Sequence, residues 1–79
     1  MSTNMTIENA FGSAVREERN RLGMSQERLA FESGLDRSFV SQVECGHKQP
    51  SLVTIFQLAK ALSTTPSGLL AIAELNLKL

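Results

Sequence analysis

Cys45 and His47 are the one thiol and the one imidazole in this chain of 79 residues, and they stand two positions apart. Such a pair could bind a metal ion or form part of a nucleophilic site. A metal site needs more nitrogen and sulfur ligands than this pair supplies, and a nucleophile needs an orienting third group. The sequence also lacks a glycine-rich phosphate loop and an evident carboxylate pair. We therefore expect no metal, no cofactor and no enzyme activity.

The stretch from Gln26 to Cys45, QERLAFESGLDRSFVSQVEC, has the spacing of a helix-turn-helix. Two short helices that cross steeply need a small residue where their backbones touch, and Ala30 supplies it. The turn needs a residue that adopts a positive φ at no steric cost, and Gly34 stands at that place. Four apolar side chains are spaced so that they meet inside the bend: Leu29, Leu35, Val40 and Val43.

Five helices and no strand are predicted from the apolar periodicity and from the start and stop signals. The second and third helices are those of the motif, and Ser25 and Asp36 precede them as residues whose side chains can accept from free N–H groups. The first helix carries an apolar stripe of Phe11, Ala14, Val15 and Leu22. The predicted bounds are about 7–22, 26–33, 37–44, 52–62 and 66–75.

The composition is that of one globular domain over residues 1–79. Hydrophobic residues make up 42% of the chain, which is too many for a disordered protein. Eight basic residues balance eight acidic ones, whereas proteins that bind nucleic acid often carry a basic excess. A neutral chain predicts weak non-specific affinity for nucleic acid, so specificity would have to come from geometry and side-chain chemistry.

Neither the N-terminal segment nor the apolar runs indicate a membrane. Residues 1–10 lack the basic patch and apolar run of a signal peptide. The longest uninterrupted apolar run, residues 69–73, is far shorter than the roughly 20 residues that a membrane span requires. A single cysteine cannot form a disulfide within the chain. We therefore expect a protein of the reducing cytoplasm.

Residues 11–70 resemble the xenobiotic-response-element, or phage-repressor-like, DNA-binding domains. The residues that carry the resemblance are Phe11-Gly12, Arg19, Leu22-Gly23-Met24-Ser25-Gln26, Leu29-Ala30, Gly34, Val43-Glu44, Gly46, Pro50-Ser51, Ala59, Leu62 and Leu69-Leu70. Within that family the chain is most similar to the controller proteins of restriction–modification systems, which are small dimeric regulators. The resemblance implies an all-α, five-helix DNA-binding domain that regulates transcription.

The resemblance also implies that the third helix enters the major groove of double-stranded DNA. Its exposed face would then hold Arg37, Ser38, Ser41 and Gln42. Arg37 can form a bidentate pair with guanine, worth roughly 1–3 kcal/mol of discrimination, or it could pair with Asp36 at the surface. Gln42 could read a base or stay solvated. The two serines are so short that each could reach a phosphate, a thymine methyl group or nothing.

Contacts with the DNA backbone are implied at both ends of the motif. Gln26 resembles the glutamine that places the family on a phosphate, and the N–H groups of a helix start favour an anion there. His47 and Lys48 lie in the loop after the third helix, where relatives touch the backbone, although a loop lysine can also be merely solvated. The family further implies a salt bridge from Arg19 to Glu44 that ties the first helix to the third.

The C-terminal segment is more apolar than one small core can absorb. Leu70, Ile72, Ala73 and Leu75, with the turn at 63–67, predict a two-fold interface between two copies of the chain. Some of these side chains could instead cap the core of the monomer. Two-fold symmetry would place the two recognition helices roughly 34 Å apart and predicts a palindromic operator.

Two functions stay open on the sequence. The first is a transcriptional regulator that occupies a palindromic operator as a homodimer, such as a restriction–modification controller protein. The second is a protein-interaction module, such as an antitoxin or an anti-regulator, for which DNA binding is secondary. No small-molecule ligand is evident, so we expect control by protein concentration through dimerisation.

Overall fold

The structure is a computed structural model, and it describes residues 5–77. These residues form five helices and no strand: α1 (Ile7–Arg21), α2 (Gln26–Ser33), α3 (Arg37–Glu44), α4 (Leu52–Ala61) and α5 (Pro66–Leu77). The predicted all-α, five-helix fold is confirmed, and α2 and α3 have the predicted bounds. Across the described part of the chain, every helix is too short or too polar to cross a membrane.

Four of the helices begin with a hydroxyl side chain that accepts a hydrogen bond from the N–H three residues later. The four capping residues are Thr6, Ser25, Ser51 and Thr65, with oxygen–nitrogen distances of 3.0–3.2 Å. Each bond satisfies one N–H that a helix start leaves free. The prediction that Asp36 caps α3 in this way is wrong, because its side chain makes no cap hydrogen bond. Asp36 is exposed, so water can solvate both its carboxylate and the first N–H groups of α3.

The turn between α2 and α3 is closed by Gly34 in the left-handed region, with φ 74° and ψ 26°. The N–H of Gly34 donates to the carbonyl of Phe31 at 3.3 Å, and the N–H of Leu35 donates to the carbonyl of Ala30 at 2.8 Å. An L-residue with a Cβ is strained at this φ. The glycine predicted for this turn is therefore confirmed.

One hydrophobic core joins all five helices, and α1 packs against both α3 and α5. The buried apolar residues are Ala10, Phe11, Ala14, Val15, Leu29, Ala30, Val40, Val43, Leu58, Ala59, Leu62, Leu69 and Ala73. Leu35 of the predicted inner face is partly buried against them. Leu22, predicted on the apolar stripe of α1, is instead 39% exposed. The buried part of α1 ends at Val15, so the last turn and its C-cap Leu22 project beyond the core.

Candidate nucleic-acid interface

The third helix turns an apolar face inward and a polar face to solvent. Val40 and Val43 are 1% exposed and lie in the core. Arg37, Ser38 and Gln42 are exposed, while Ser41 is partly exposed. The helical period therefore places the four predicted groove-facing side chains on the outer side of a helix that its inner side holds in place.

Within the described residues, the side chains of Arg37 and Gln42 have no polar partner in the protein. Among the hydrogen bonds and ion pairs of residues 5–77, none involves either side chain. The surface pair of Arg37 with Asp36 is thus not formed in the described structure. Both side chains keep their full capacity for hydrogen bonds to a partner outside the chain.

A buried carboxylate, that of Glu44, ties the end of α3 to α1. Arg19 donates from Nε to Oε2 at 2.6 Å and from Nη2 to Oε1 at 2.9 Å. The Glu44 side chain is fully buried, and that of Arg19 is 12% exposed. Arg19 also donates from Nη1 to the carbonyl of Met24 at 2.9 Å, just before α2. The predicted salt bridge between α1 and α3 is confirmed, and the same arginine holds the start of the motif.

The hydrogen bonds at Glu44 keep it ionised despite its burial. Burial raises the pKa of Glu44, but hydrogen bonds from Arg19, Gln26 and Arg16 and the charge of Arg19 together lower it below its ordinary value. The pKa of Arg19 is raised, chiefly by its hydrogen bonds to Glu44. At neutral pH both groups are charged, so the pair fixes the angle between α1 and α3.

Gln26 begins α2, and its side chain turns towards the end of α3. Its Nε2 donates to Oε1 of Glu44 at 3.0 Å, and the residue is partly exposed. A carboxamide carries two donor hydrogens, so this bond leaves the second one available. The phosphate contact that the resemblance implies for Gln26 stays a prediction, now with a bond that fixes the amide in position.

His47 and Lys48 lie exposed in the loop between α3 and α4. The N–H of His47 donates to the carbonyl of Gln42 at 2.8 Å, and Gly46 before it has a φ of 78°. This bond anchors the loop on α3. The backbone at His47 is therefore held close to the last turn of α3, and Lys48 follows it in the chain.

Arg16 is a residue of this network that sequence reasoning missed. Its Nε lies 3.5 Å from Oε1 of Glu44, and its side chain is 50% exposed. Positions three apart on a helix share a face. The spacing of Arg16 and Arg19 was thus the signal that could have placed both arginines at Glu44.

Within the part of the chain that the structure describes, the thiol and the imidazole after α3 do not belong to a larger ligand set. Cys45 and His47 are both exposed. Among residues 5–77, no group of three or more His, Cys, Asp or Glu side chains is arranged to hold a metal ion.

The residues predicted for a two-fold interface differ in exposure along α5. Leu70 and Leu75 are 44% and 74% exposed, and Ile72 is partly buried. Ala73 is buried in the protomer, because it lies one helical turn after the core residue Leu69. Ala73 therefore belongs to the core, and the large apolar side chains that α5 exposes among the described residues are Leu70 and Leu75.

Comparison with known proteins agrees with this architecture. The helix-turn-helix family matches residues 15–69 of the chain. The control protein C.BamHI of Bacillus amyloliquefaciens is 44% identical over 61 residues, which span 76% of this chain and 75% of the relative. The control protein C.SmaI of Serratia marcescens is 41% identical over 66 residues, which span 84% and 79% of the two chains.

A solved structure of a controller protein has the same fold. The restriction–modification controller protein C.AhdI from Aeromonas hydrophila superposes with a TM-score of 0.77 at 52% sequence identity. The superposition covers 78% of this chain and 94% of that one. This chain belongs to the helix-turn-helix family of DNA-binding transcriptional regulators, and its relatives include restriction–modification controller proteins.

Proposed function

We propose that this protein regulates transcription by occupying a palindromic operator in double-stranded DNA as a homodimer. The observation that carries the proposal is the outer face of α3. Arg37 and Gln42 project there without a hydrogen bond or ion pair to the rest of residues 5–77, while Val40 and Val43 hold the opposite face in the core. Two exposed polar side chains on a fixed helix are what the reading of base edges in the major groove requires.

The proposed roles of the polar residues follow from their reach. Arg37 forms a bidentate pair with guanine, and Gln42 reads a neighbouring base edge. Ser38 and Ser41 contact a phosphate or a thymine methyl group.

The proposed backbone contacts flank this face. Gln26 holds a phosphate at the start of α2, where the helix N–H groups favour an anion. His47 and Lys48 hold the backbone on the other side, from the loop after α3. Contacts with the backbone set the register of the protein on the duplex, and contacts with base edges set the sequence that it prefers.

The proposed dimer forms through α5 and the turn at 63–67. Leu70 and Leu75 expose apolar surface on two different sides of α5, since positions five apart point about 140° apart, and Ile72 is partly buried near the side of Leu75. A symmetric pair of these surfaces would bury leucine side chains that a single copy leaves in water. The protein would then respond to its own concentration, since the dimer spans two half-sites that one copy cannot.

Control of a restriction–modification system is the specific role that we propose. It is supported by the sequence identity with C.BamHI, 44%, and with C.AhdI, 52%. In this role the protein acts in the cytoplasm as a DNA-binding regulator, without enzyme activity, cofactor, metal or small-molecule ligand.

Arg37→Ala tests the proposal. The measurement is the affinity for a duplex from upstream of the protein's own gene and for an unrelated duplex of equal length, at physiological salt. We expect the wild type to prefer the upstream duplex. Because a bidentate pair is worth roughly 1–3 kcal/mol, the variant should bind that duplex about 5- to 150-fold more weakly.

The matched control for this experiment is Arg21→Ala. Arg21 is an exposed arginine of α1 that pairs with Glu18 at 2.8 Å, so its removal changes the net charge equally. The Arg21→Ala variant should bind the upstream duplex with nearly the wild-type affinity and should keep the wild-type preference for that duplex. If Arg37→Ala binds both duplexes as the wild type does, α3 does not read the operator and the proposal is wrong.

A protein-interaction module is the second candidate, and the exposed face of α4 favours it. Val53 and Phe56 are 68% and 56% exposed on that helix, which is apolar surface that a protein partner could cover. Under this alternative the wild type would bind upstream and unrelated duplexes alike. Tight binding that depends on the sequence would exclude it as the main function.

A further inference from the structure

Three donor side chains from two helices converge on the single carboxylate of Glu44. Arg19 uses two nitrogens for both carboxylate oxygens. Arg16 and Gln26 both point to the same oxygen, Oε1, at 3.5 Å and 3.0 Å. Two positive charges therefore face one negative charge, and the cluster keeps a surplus of one positive charge.

The surplus charge lies on Arg16 and not on Arg19. Arg19 is almost wholly buried, and its guanidinium also donates to the carbonyl of Met24. Arg16 is half exposed, and it reaches Glu44 with Nε alone, at a long distance. Within residues 5–77 the two terminal nitrogens of Arg16 make no hydrogen bond. An arginine has five donor N–H groups, so most of those of Arg16 face solvent.

Arg16 and Gln26 are neighbours, because both donate to one oxygen atom. Gln26 keeps a second amide N–H that this bond does not use. The shared carboxylate is fully buried and is neutralised by Arg19, so it orients both donors while adding little repulsion to an approaching anion. Glu44 is the last residue of α3, and Gln26 is the first residue of α2. Because Arg16 and Gln26 both donate to Glu44, they lie beside α3, the helix that carries Arg37.

We infer that Arg16 and Gln26 together clamp one phosphate of the DNA backbone, with Arg16 supplying the positive charge. The inference rests on the DNA binding proposed above and adds to it a residue on α1, outside the helix-turn-helix. Arg16 contributes to affinity for any duplex, because a phosphate carries no information on sequence. Glu44 acts as the positioning residue of the clamp and does not touch the DNA.

The test compares Arg16→Gln with Arg21→Gln. Both variants remove one positive charge from α1, but positions 16 and 21 point about 140° apart around the helix, and Arg21 pairs with Glu18. Affinities for the upstream duplex and for an unrelated duplex are measured over a series of salt concentrations. The logarithm of the affinity falls linearly as the logarithm of the salt concentration rises, and each phosphate contact makes this slope steeper by about one unit. Arg16→Gln should make the slope shallower by about one unit on both duplexes. Arg21→Gln should leave the slope unchanged.

Arg16→Lys separates a phosphate contact from a purely structural role. Lysine keeps the positive charge and loses the Nε that faces Glu44, so the slope should stay at the wild-type value if Arg16 binds a phosphate. If Arg16 serves only to hold Glu44, the lysine and glutamine variants should behave alike, and that result overturns the inference. Circular dichroism of each variant shows that the comparison is made between folded proteins.

The outcomes also separate this inference from the function on which it rests. A wild type that shows no preference for the upstream duplex contradicts the proposed function. A wild type with that preference, joined by an Arg16→Gln variant with an unchanged slope, contradicts the phosphate clamp alone.

Discussion

Gly12 of α1 lies directly against the last residues of α3, so that a Cβ at position 12 would stand 2.7 Å from the carbonyl oxygen of Glu44. The carbonyl oxygen of Val43 would be closer still. Both neighbours are backbone atoms, which cannot swing aside as the end of a flexible side chain can. Together with the ion pair between Arg19 and Glu44, this contact fixes α3 to α1 at one end. The direction in which Arg37 and Gln42 project thus depends on a glycine outside the motif.

Gly12→Ala should therefore destabilise the protein. The added methyl group forces α1 and α3 apart, and overpacking of this kind costs about 1–3 kcal/mol or more. Alanine gains at most about 1 kcal/mol of helix propensity over glycine, so the net effect is a loss. Thermal unfolding measures it. Asn20→Ala, an exposed position of the same helix, is the control and should keep or slightly raise the melting temperature.

A melting temperature of Gly12→Ala equal to that of the asparagine control would contradict the close contact. DNA affinity offers a second measurement on the folded variant. If α3 shifts on α1, preference for the upstream duplex should fall even under conditions in which the variant is fully folded.

Glu44→Ala should unfold the protein or lower its melting temperature sharply. Removal of the Glu44 carboxylate leaves the guanidinium of Arg19 charged, mostly buried and without its main partner. Breaking a desolvated pair in this way costs about 3–5 kcal/mol, while a domain of this length is stable by only about 4–12 kcal/mol. An unaltered melting curve would mean that the pair contributes nothing to the fold.

The same glutamate predicts how stability depends on pH. The pKa of Glu44 is lower in the folded protein than its ordinary value, so the unfolded chain takes up this proton first as the pH falls. The stabilisation is thus fully present above the ordinary glutamate pKa and is lost as the pH falls through the lowered folded pKa. Chemical denaturation over an acidic pH series should show this loss in the wild type. The loss of stability with falling pH should be smaller in Glu44→Gln, whose side chain cannot ionise. The variant Glu17→Gln, at an exposed position of α1, should lose stability with falling pH as the wild type does.

Leu75→Lys should convert the proposed dimer into a monomer. Leu75 is largely exposed in a single copy, so the charge does not disturb the protomer fold, but it would be buried without a partner in the interface. Sedimentation at micromolar concentration should give a dimer for the wild type and a monomer for the variant. Leu52→Lys, at a residue of α4 that is 69% exposed and lies away from the turn at 63–67, is the control and should remain dimeric. A wild type that sediments as a monomer would remove the dimer from the proposal.

The local features of the fold were predictable because short-range chemistry determines them. Gly34 and the caps Ser25 and Ser51 act on residues within a few positions, so their spacing in the sequence was sufficient evidence. Asp36 was assigned a cap that it does not form, because residue type and position do not decide whether an exposed carboxylate bonds to the backbone or to water.

Features that depend on packing between distant segments were harder to predict. The stripe on α1 placed Leu22 inside, since periodicity does not reveal where a neighbouring helix stops. Ala73 was assigned to the surface of α5 because that helix is apolar on more than one side, so its inner face cannot be chosen from its own sequence. The contact of Gly12 could not be predicted without knowing that α1 lies across the end of α3, whereas the spacing of Arg16 and Arg19 was a usable signal once the salt bridge from Arg19 to Glu44 was expected.

The division of work on α3 has an evolutionary consequence. Its valines and Glu44 maintain the scaffold, whereas Arg37 and Gln42 on its outer side have no intramolecular duty in the described structure. Substitutions at these outer positions should carry little folding penalty, so, under the proposed function, they would change the preferred target site and leave the fold intact. The side chains that hold the fold and those proposed to read DNA thus lie on opposite sides of the same eight-residue helix.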